Sequence, residues 1–153
     1  LTSDTTTMRH IADEFVAAWN DADADRLEQL FHPDFRWHIA VTDHDDPNMR
    51  SLQSELLDGM NLPWQQSIYD KAETLEVFRG IFAATDQFQL ELKSVIADGD
   101  RAAIEAVGDA INPLNGRRYQ NLYCYVFERR DDQLVLFREY QDTLHLFDVW
   151  VAE

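Results

Sequence analysis

From residue 8 onward, apolar side chains return every three or four positions. Met8, Ile11, Ala12, Phe15, Ala18 and Trp19 would share one face of a helix over about residues 5–20. Ser3, Asp4 and the threonines beside them offer N-caps. Asn20-Asp21-Ala22-Asp23 breaks the pattern. A short second helix then turns Leu27, Leu30 and Phe31 inward. His32-Pro33-Asp34 ends it, because proline disfavours helical backbone at the residue before it. From Phe35 the period becomes two. Phe35, Trp37, Ile39 and Val41 fall on one face and Arg36, His38 and Ala40 on the other, which predicts a strand. Residues 42–69 lose both periods and carry Pro47 and Pro63. A long loop is expected there, with a short helix near residues 50–58. Connections of that length are often lids or binding loops.

Asp70 followed three residues later by Glu73 reads as a variant capping box, since the usual first residue is Ser or Thr. Leu75, Phe78, Ile81 and Phe82 continue it as a third helix ending near Thr85. Strand patterning begins at residue 87, with Phe88, Leu90 and Leu92 on one face, and reaches Ala97. Asp98-Gly99-Asp100 is a hairpin turn that needs positive φ. Arg101 to Ile111 returns, Asn112 to Gly116 turns, and Arg117 to Arg129 forms a long strand. Tyr119, Asn121, Tyr123, Tyr125 and Phe127 share one of its faces. Asp131-Asp132 turns again, Leu134 to Asp142 returns, and residues 143–151 are apolar enough to dock as a tail. Helices first and an antiparallel meander of four strands later make an α+β pattern. No repeat, low-complexity segment or linker divides the 153 residues, so one domain over 1–153 is expected.

Charge narrows the partners. The net charge is −16 and the pI about 4.4, which repels phosphate backbones and anionic membranes. No run approaches the ~20 apolar residues of a membrane span. The start, Leu1-Thr2-Ser3-Asp4, is unlike a signal peptide, and its missing initiator Met suggests trimming or a tag. The single cysteine, Cys124, cannot form an internal disulfide. It reads as a buried inert thiol in a strand, and a cytoplasmic setting is expected.

Three local features carry a resemblance. Phe31-His32-Pro33-Asp34-Phe35-Arg36-Trp37-His38 resembles an "FxPDxxWH" entry into a first strand. Asp98-Gly99-Asp100 matches a hairpin. Tyr123 to Thr143 resembles "YxxxFxxxDGxIxxxREYxDT". In this ordered set the chain resembles the SnoaL-like branch of the nuclear-transport-factor-2-like superfamily. The resemblance implies a cone-shaped fold: a strongly bent, mostly antiparallel sheet wraps the N-terminal helices and encloses a pocket. It also implies a small apolar molecule as partner and homodimers through the outer sheet face. Members include polyketide cyclases, epoxide hydrolases, steroid isomerases, dehydratases and pure binders, so fold leaves function open. Two departures matter. Asp131-Asp132-Gln133 replaces the usual glycine turn. Glu139 matches one carboxylate of the epoxide hydrolases' Asp–Arg–Asp set, but Ala106 and Gly108 stand at the other two places. A slip of one residue offers Asp109 but still no arginine, so epoxide hydrolysis is disfavoured.

Alternation puts Val135, Phe137, Glu139 and Gln141 on one face. A carboxyl among Val and Phe would lose solvation, which raises its pKa and suits it to acid–base work near neutrality. Glu139 is therefore the first catalytic candidate. A salt bridge to Arg118, Arg129 or Arg138, or plain exposure, is its structural alternative. Asp142 is a second candidate, although capping Thr143-Leu144-His145 suits it better. Asp109 and Glu105 share a face that could point inward or to solvent. His38 has the pKa for a partner to Glu139, yet alternation sets it opposite Trp37, toward an interface or solvent. Tyr119, Asn121, Tyr123 and Tyr125 could orient a substrate oxygen, or form a plain aromatic ladder or a dimer face. Trp19, Trp37, Trp64, Phe78, Phe82 and Phe137 read as pocket wall or core. His44 among Asp43, Asp45 and Asp46 matches no metal spacing and reads as a solvated acidic loop. No Gly-rich phosphate loop and no nucleophile elbow occurs, so neither cofactor nor metal is expected. The reading is a cofactor-independent isomerase, cyclase or dehydratase for a small apolar cyclic or aromatic molecule. A non-catalytic binder or a dimeric accessory domain is the alternative.

Overall fold

A computed structural model of the chain describes residues 2–39 and 68–151. The helix α1 spans Thr2–Asn20, α2 Ala24–Leu30, and the strand β1 Phe31–Ile39. They are followed by β2 (Ile68–Asp70), α3 (Lys71–Ala84), β3 (Gln89–Asp98), β4 (Arg101–Ile111), β5 (Arg118–Arg130), β6 (Gln133–Gln141) and α4 (Thr143–Trp150). The six strands form one curled, unclosed sheet in the order β2-β1-β6-β5-β4-β3. This is the cone-shaped α+β architecture expected from the resemblance.

All neighbouring strands are antiparallel except β1 and β6, which run parallel. A parallel pair needs a long connection, and here most of the chain separates the two strands. Register shifts bend the sheet at three places: between Phe31 and Arg36, between Leu92 and Ser94, and between Glu128 and Arg129. The first shift lets Phe31 and Phe35 both face inward, where their rings stack at 4.0 Å.

The periodicities hold. Met8, Ile11, Ala12, Phe15, Ala18 and Trp19 of α1 are buried, as are Phe35, Trp37 and Ile39 of β1 and Tyr119, Asn121, Tyr123, Tyr125 and Phe127 of β5. The variant capping box at Asp70 is complete. Its carboxylate accepts from Glu73 N and the Glu73 carboxylate accepts from Asp70 N, both at 2.9 Å. Gly99 and Gly116 take the positive φ that their turns require, at 56° and 71°. Asp131 and Asp132 do so as well, at 50° and 62°, because a short polar side chain tolerates the left-handed region.

Three elements differ from the sequence reading. Phe31 opens β1 instead of closing α2. Ile68 and Tyr69, expected in a loop, form β2 against His38 and Trp37; a three-residue strand is too short to show alternation. The docking tail is the helix α4. Asp142 caps it by accepting from His145 N at 3.0 Å. Asn112 and Asn115 Nδ2 hold its far end by donating to Val149 O at 2.9 and 3.0 Å. The expected helix near residues 50–58, Ala40, Val41, Trp64 and the cluster around His44 lie outside the described residues.

The free edge of β3 is finished by a side chain. Asn20 Oδ1 accepts from Leu90 N at 2.7 Å and its Nδ2 donates to Leu90 O at 2.9 Å. The amide thus mimics a neighbouring strand and seats the end of α1 on the sheet. No helix among the described residues is long and apolar enough to cross a membrane.

Candidate active site

Inside the curl lies a cavity of about 640 Å³, within the ordinary size range of small-molecule sites. Trp19 comes from α1, Trp37 and Ile39 from β1, and Phe78 and Ile81 from α3. Tyr119, Tyr123 and Tyr125 come from β5, Phe137, Glu139 and Gln141 from β6, and Leu146 and Trp150 from α4. Half of the lining residues are aromatic. Trp37 is stacked between Tyr69 and Phe137, with centroids at 5.0 and 6.0 Å.

Glu139 lines this cavity. Its Oε2 accepts a hydrogen bond from Trp37 Nε1 at 3.0 Å. It sits opposite Tyr125 of β5, and Gln141 sits opposite Tyr123. Burial pushes its carboxyl up from 4.5 to about 8, with the Trp37 hydrogen bond pulling the other way. The side chain is neither exposed nor sealed, and its accessible surface belongs to the cavity wall. None of the ion pairs among the described residues involves it. The arginines of the structural alternative are engaged elsewhere: Arg138 with Glu128, Arg129 with Asp100 and Asp132, Arg118 with Asp109.

Facing Glu139 is a hydroxyl cluster. Tyr119 and Tyr123 hydroxyls lie 3.0 Å apart, and Asn121 Nδ2 donates to the Tyr119 hydroxyl at 2.6 Å. Gln141 Oε1 accepts from Tyr119 at 3.3 Å. Burial raises the Tyr119 phenol to about 12 and those of Tyr123 and Tyr125 well above their usual value. All three are hydrogen-bond donors, not bases, at any ordinary pH. Tyr119 has one proton to give: sent to Gln141, it leaves Tyr123 as the donor of the pair; sent to Tyr123, it frees the Tyr123 proton for an oxygen in the cavity.

The cluster depends on a glycine. A Cβ at Gly108 would stand 2.6 Å from Tyr123 Cε2 and 2.8 Å from Phe88 Cε2. The bare backbone of β4 is what lets the Tyr123 ring lie flat enough to reach Tyr119.

The other candidates lie elsewhere. His38 is buried on the opposite face of β1, in register with Arg138. Asp109 faces outward, where Arg118 hydrogen bonds hold its carboxyl below the usual range. Glu105 is also outward and accepts from Ser94. Asp142 caps α4. Asn121 does not line the cavity; its amide ties β5 to the backbone of Asp142 through both N–H and C=O. Cys124 is half-buried beside Glu105 on the outer face, and burial raises its thiol. Among the described residues no group of His, Cys, Asp or Glu is placed to hold a metal. Trp19, Trp37, Phe78, Tyr119, Tyr123 and Phe137 do converge on the cavity with Glu139. Tyr125 of the aromatic stripe lines the cavity too, and Gln141 escaped the candidate set although two-residue alternation from Glu139 pointed to it. Tyr69 and Trp150 carried no such signal.

Known proteins share this architecture. A candidate SnoaL-like polyketide cyclase from Jannaschia sp. matches with TM-score 0.74 and 12% identity, over 100% of this chain and 97% of that one. IdmH from Streptomyces antibioticus, a candidate polyketide cyclase, matches with TM-score 0.69 and 16% identity over 94% and 98%. An epoxide hydrolase from M. tuberculosis, of limonene-epoxide-hydrolase-like type, matches with TM-score 0.65 and 20% identity over 94% and 89%. At these identities they establish the fold alone. No curated protein matches the chain. The model of the SnoaL-like domain matches residues 12–137, from within α1 to Phe137 of β6 and ending before Glu139, and the chain belongs to that family.

Proposed function

We propose that the protein is a cofactor-independent acid–base enzyme of isomerase, cyclase or dehydratase type, acting on a small apolar cyclic or aromatic molecule. One observation carries this reading: a carboxyl lies in an aromatic cavity, next to a pair of tyrosine hydroxyls on the neighbouring strand, and its burial pushes its pKa up. At pH 7 about nine-tenths of Glu139 is protonated. It can give a proton to one atom of a bound ring and recover it from another. A tyrosine hydroxyl from the neighbouring strand stabilises the oxygen on which negative charge grows. Aromatic walls keep water from competing for the proton. The family holds cyclases, isomerases and hydrolases, in keeping with such a site. No arginine lines the cavity among the described residues, which argues against the Asp–Arg–Asp chemistry of epoxide hydrolysis.

The test is Glu139→Gln in a turnover assay on ring compounds that the wild type converts. A loss of about 100-fold or more is expected, the usual worth of a general acid–base group. Unchanged turnover removes Glu139 from the mechanism.

One observation favours the alternative of a non-catalytic binder: His38, Asp109 and Asp142, the other acid–base candidates, all stand outside the cavity. Binding without product, by mass spectrometry after long incubation, would decide for it.

Two further readings belong to this proposal. A homodimer through the outer sheet face is supported by exposed Ile96, Ile111, Leu122 and Tyr140 on that face. Leu122→Glu should then lower the mass seen in sedimentation. Cytoplasmic placement is supported by the lone thiol of Cys124.

A further inference from the structure

The charges of the cavity are one-sided. Glu73, Glu76 and Glu139 line it, and no Lys, Arg or His does so among the described residues. Glu139 is the innermost of these, held by Trp37 Nε1 alone and set among the rings of Trp37, Tyr125 and Phe137. An aromatic wall attracts a cation through the negative faces of its rings. Among the described residues no cationic side chain stands beside this carboxyl to offset its desolvation. The outer charge of −16 adds a field that draws cations toward the mouth and repels anions.

We propose that the cavity binds a molecule with an apolar ring body and a protonated or quaternary amine, whose positive charge sits beside Glu139 as the cationic partner that no described side chain supplies. This deepens the proposed function and rests on its placing of the ligand in the cavity. It does not require turnover. It also gives the site a switch. In the empty cavity Glu139 holds its proton at neutral pH. A cation within about 4–6 Å favours the charged form and drives the proton off. The bound ligand thereby converts the resident acid into a carboxylate, so for a cationic ligand the proton cycle of the proposed function runs in the other order: Glu139 first takes a proton from the ring and then returns it to another atom. The proton balance is simple: one cation enters, one proton leaves to solvent, and no bond in the ligand changes.

The groups facing Glu139 do not obscure this exchange. From β1 comes the Trp37 donor and from β5 the phenols of Tyr123 and Tyr125, both kept protonated by burial; Gln141 beside it on β6 does not titrate. Glu73 is tied into its capping box, and Glu76 is exposed.

Benzyltrimethylammonium and its neutral carbon isostere, neopentylbenzene, differ only in charge, and neither can itself titrate. Calorimetry at pH 7 in buffers of different ionisation enthalpy counts protons. Wild-type protein should release most of one proton per benzyltrimethylammonium bound and none on binding neopentylbenzene. Glu139→Gln should release none, and should bind the cation at least about tenfold more weakly while holding the neutral isostere within about threefold. If the neutral probe binds but the cation releases no proton from wild-type protein, or binds the variant equally well, the ammonium assignment is overturned and the cavity remains a site for neutral rings. If neither probe binds, the assignment falls together with the placing of the ligand in this cavity. The proton count uses wild-type protein, so it stands even if the variant folds poorly.

Discussion

Trp37 and Glu139, 102 residues apart, are joined by a 3.0 Å hydrogen bond from Nε1 to Oε2. The indole N–H is a donor that cannot accept, so it favours the ionised carboxylate and opposes the burial that raises its pKa. Trp37→Phe keeps a ring against Tyr69 and Phe137 but deletes the donor. The Glu139 ionisation should move further above 8, by up to about one unit, read from the carboxyl band in pH-dependent infrared spectra. A shift downward would show that another group controls the acid. The cost in stability should be about 1 kcal/mol.

Folding should sense the same carboxyl. Its pKa is about 8 in the fold against 4.5 as the unperturbed value. Its contribution is therefore fully present below about pH 4.5 and is lost as pH rises toward 8, since the unfolded chain gives up its proton first. Glu139→Gln has no proton to lose. Urea melts should show the variant gaining on the wild type between pH 5 and pH 8.5, by on the order of 3 kcal/mol. A constant gap between the two would contradict the raised pKa.

The tyrosines should divide into two sets. The chain has five, and Tyr119, Tyr123 and Tyr125 resist ionisation because burial penalises the phenolate. Absorbance at the phenolate band should account for no more than the other two below about pH 11. The remaining three should appear only as the fold is lost. Early ionisation of Tyr119 would mean that its pocket is wetter than the packing shows.

Gly108→Ala tests the packing behind the hydroxyl pair. The new methyl would press on Tyr123 and Phe88 at distances well inside contact. Overpacking of this kind costs about 1–3 kcal/mol. The melting temperature should fall by several degrees, and near-ultraviolet circular dichroism should report a displaced tyrosine. An unchanged spectrum would show that the rings have room to move aside.

Much of the fold was legible because its elements bury one face each. The 3.6-residue recurrence in α1 and the two-residue recurrence in β5 both report which side meets the core. Glu139 was legible for the same reason: a carboxyl on the Phe137 face has nowhere polar to go. His38, Asp109 and Asp142 show the limit. Residue type made each a candidate, but the face of a strand or the first turn of a helix decides its use. Alternation placed His38 opposite Trp37, and Asp142 suited a cap. For Asp109 only the pairing of β4 with β5, which sets it beside Gln120 and Arg118, settles the direction. Tyr69 and Trp150 reach the cavity through a three-residue strand and a docked helix, neither of which has a period long enough to read.

The parallel pairing of β1 with β6 has a consequence for synthesis. Trp37 leaves the ribosome about a hundred residues before Glu139, and the strand that carries the acid is the last in the sheet. Every shorter nascent chain holds the donor and the aromatic floor without the carboxyl. The acid is installed only when the closing strand slides in beside the first. The cavity with its carboxyl therefore waits on completion of the sheet, and chains broken off before that strand can expose a sticky aromatic cup that lacks the acid.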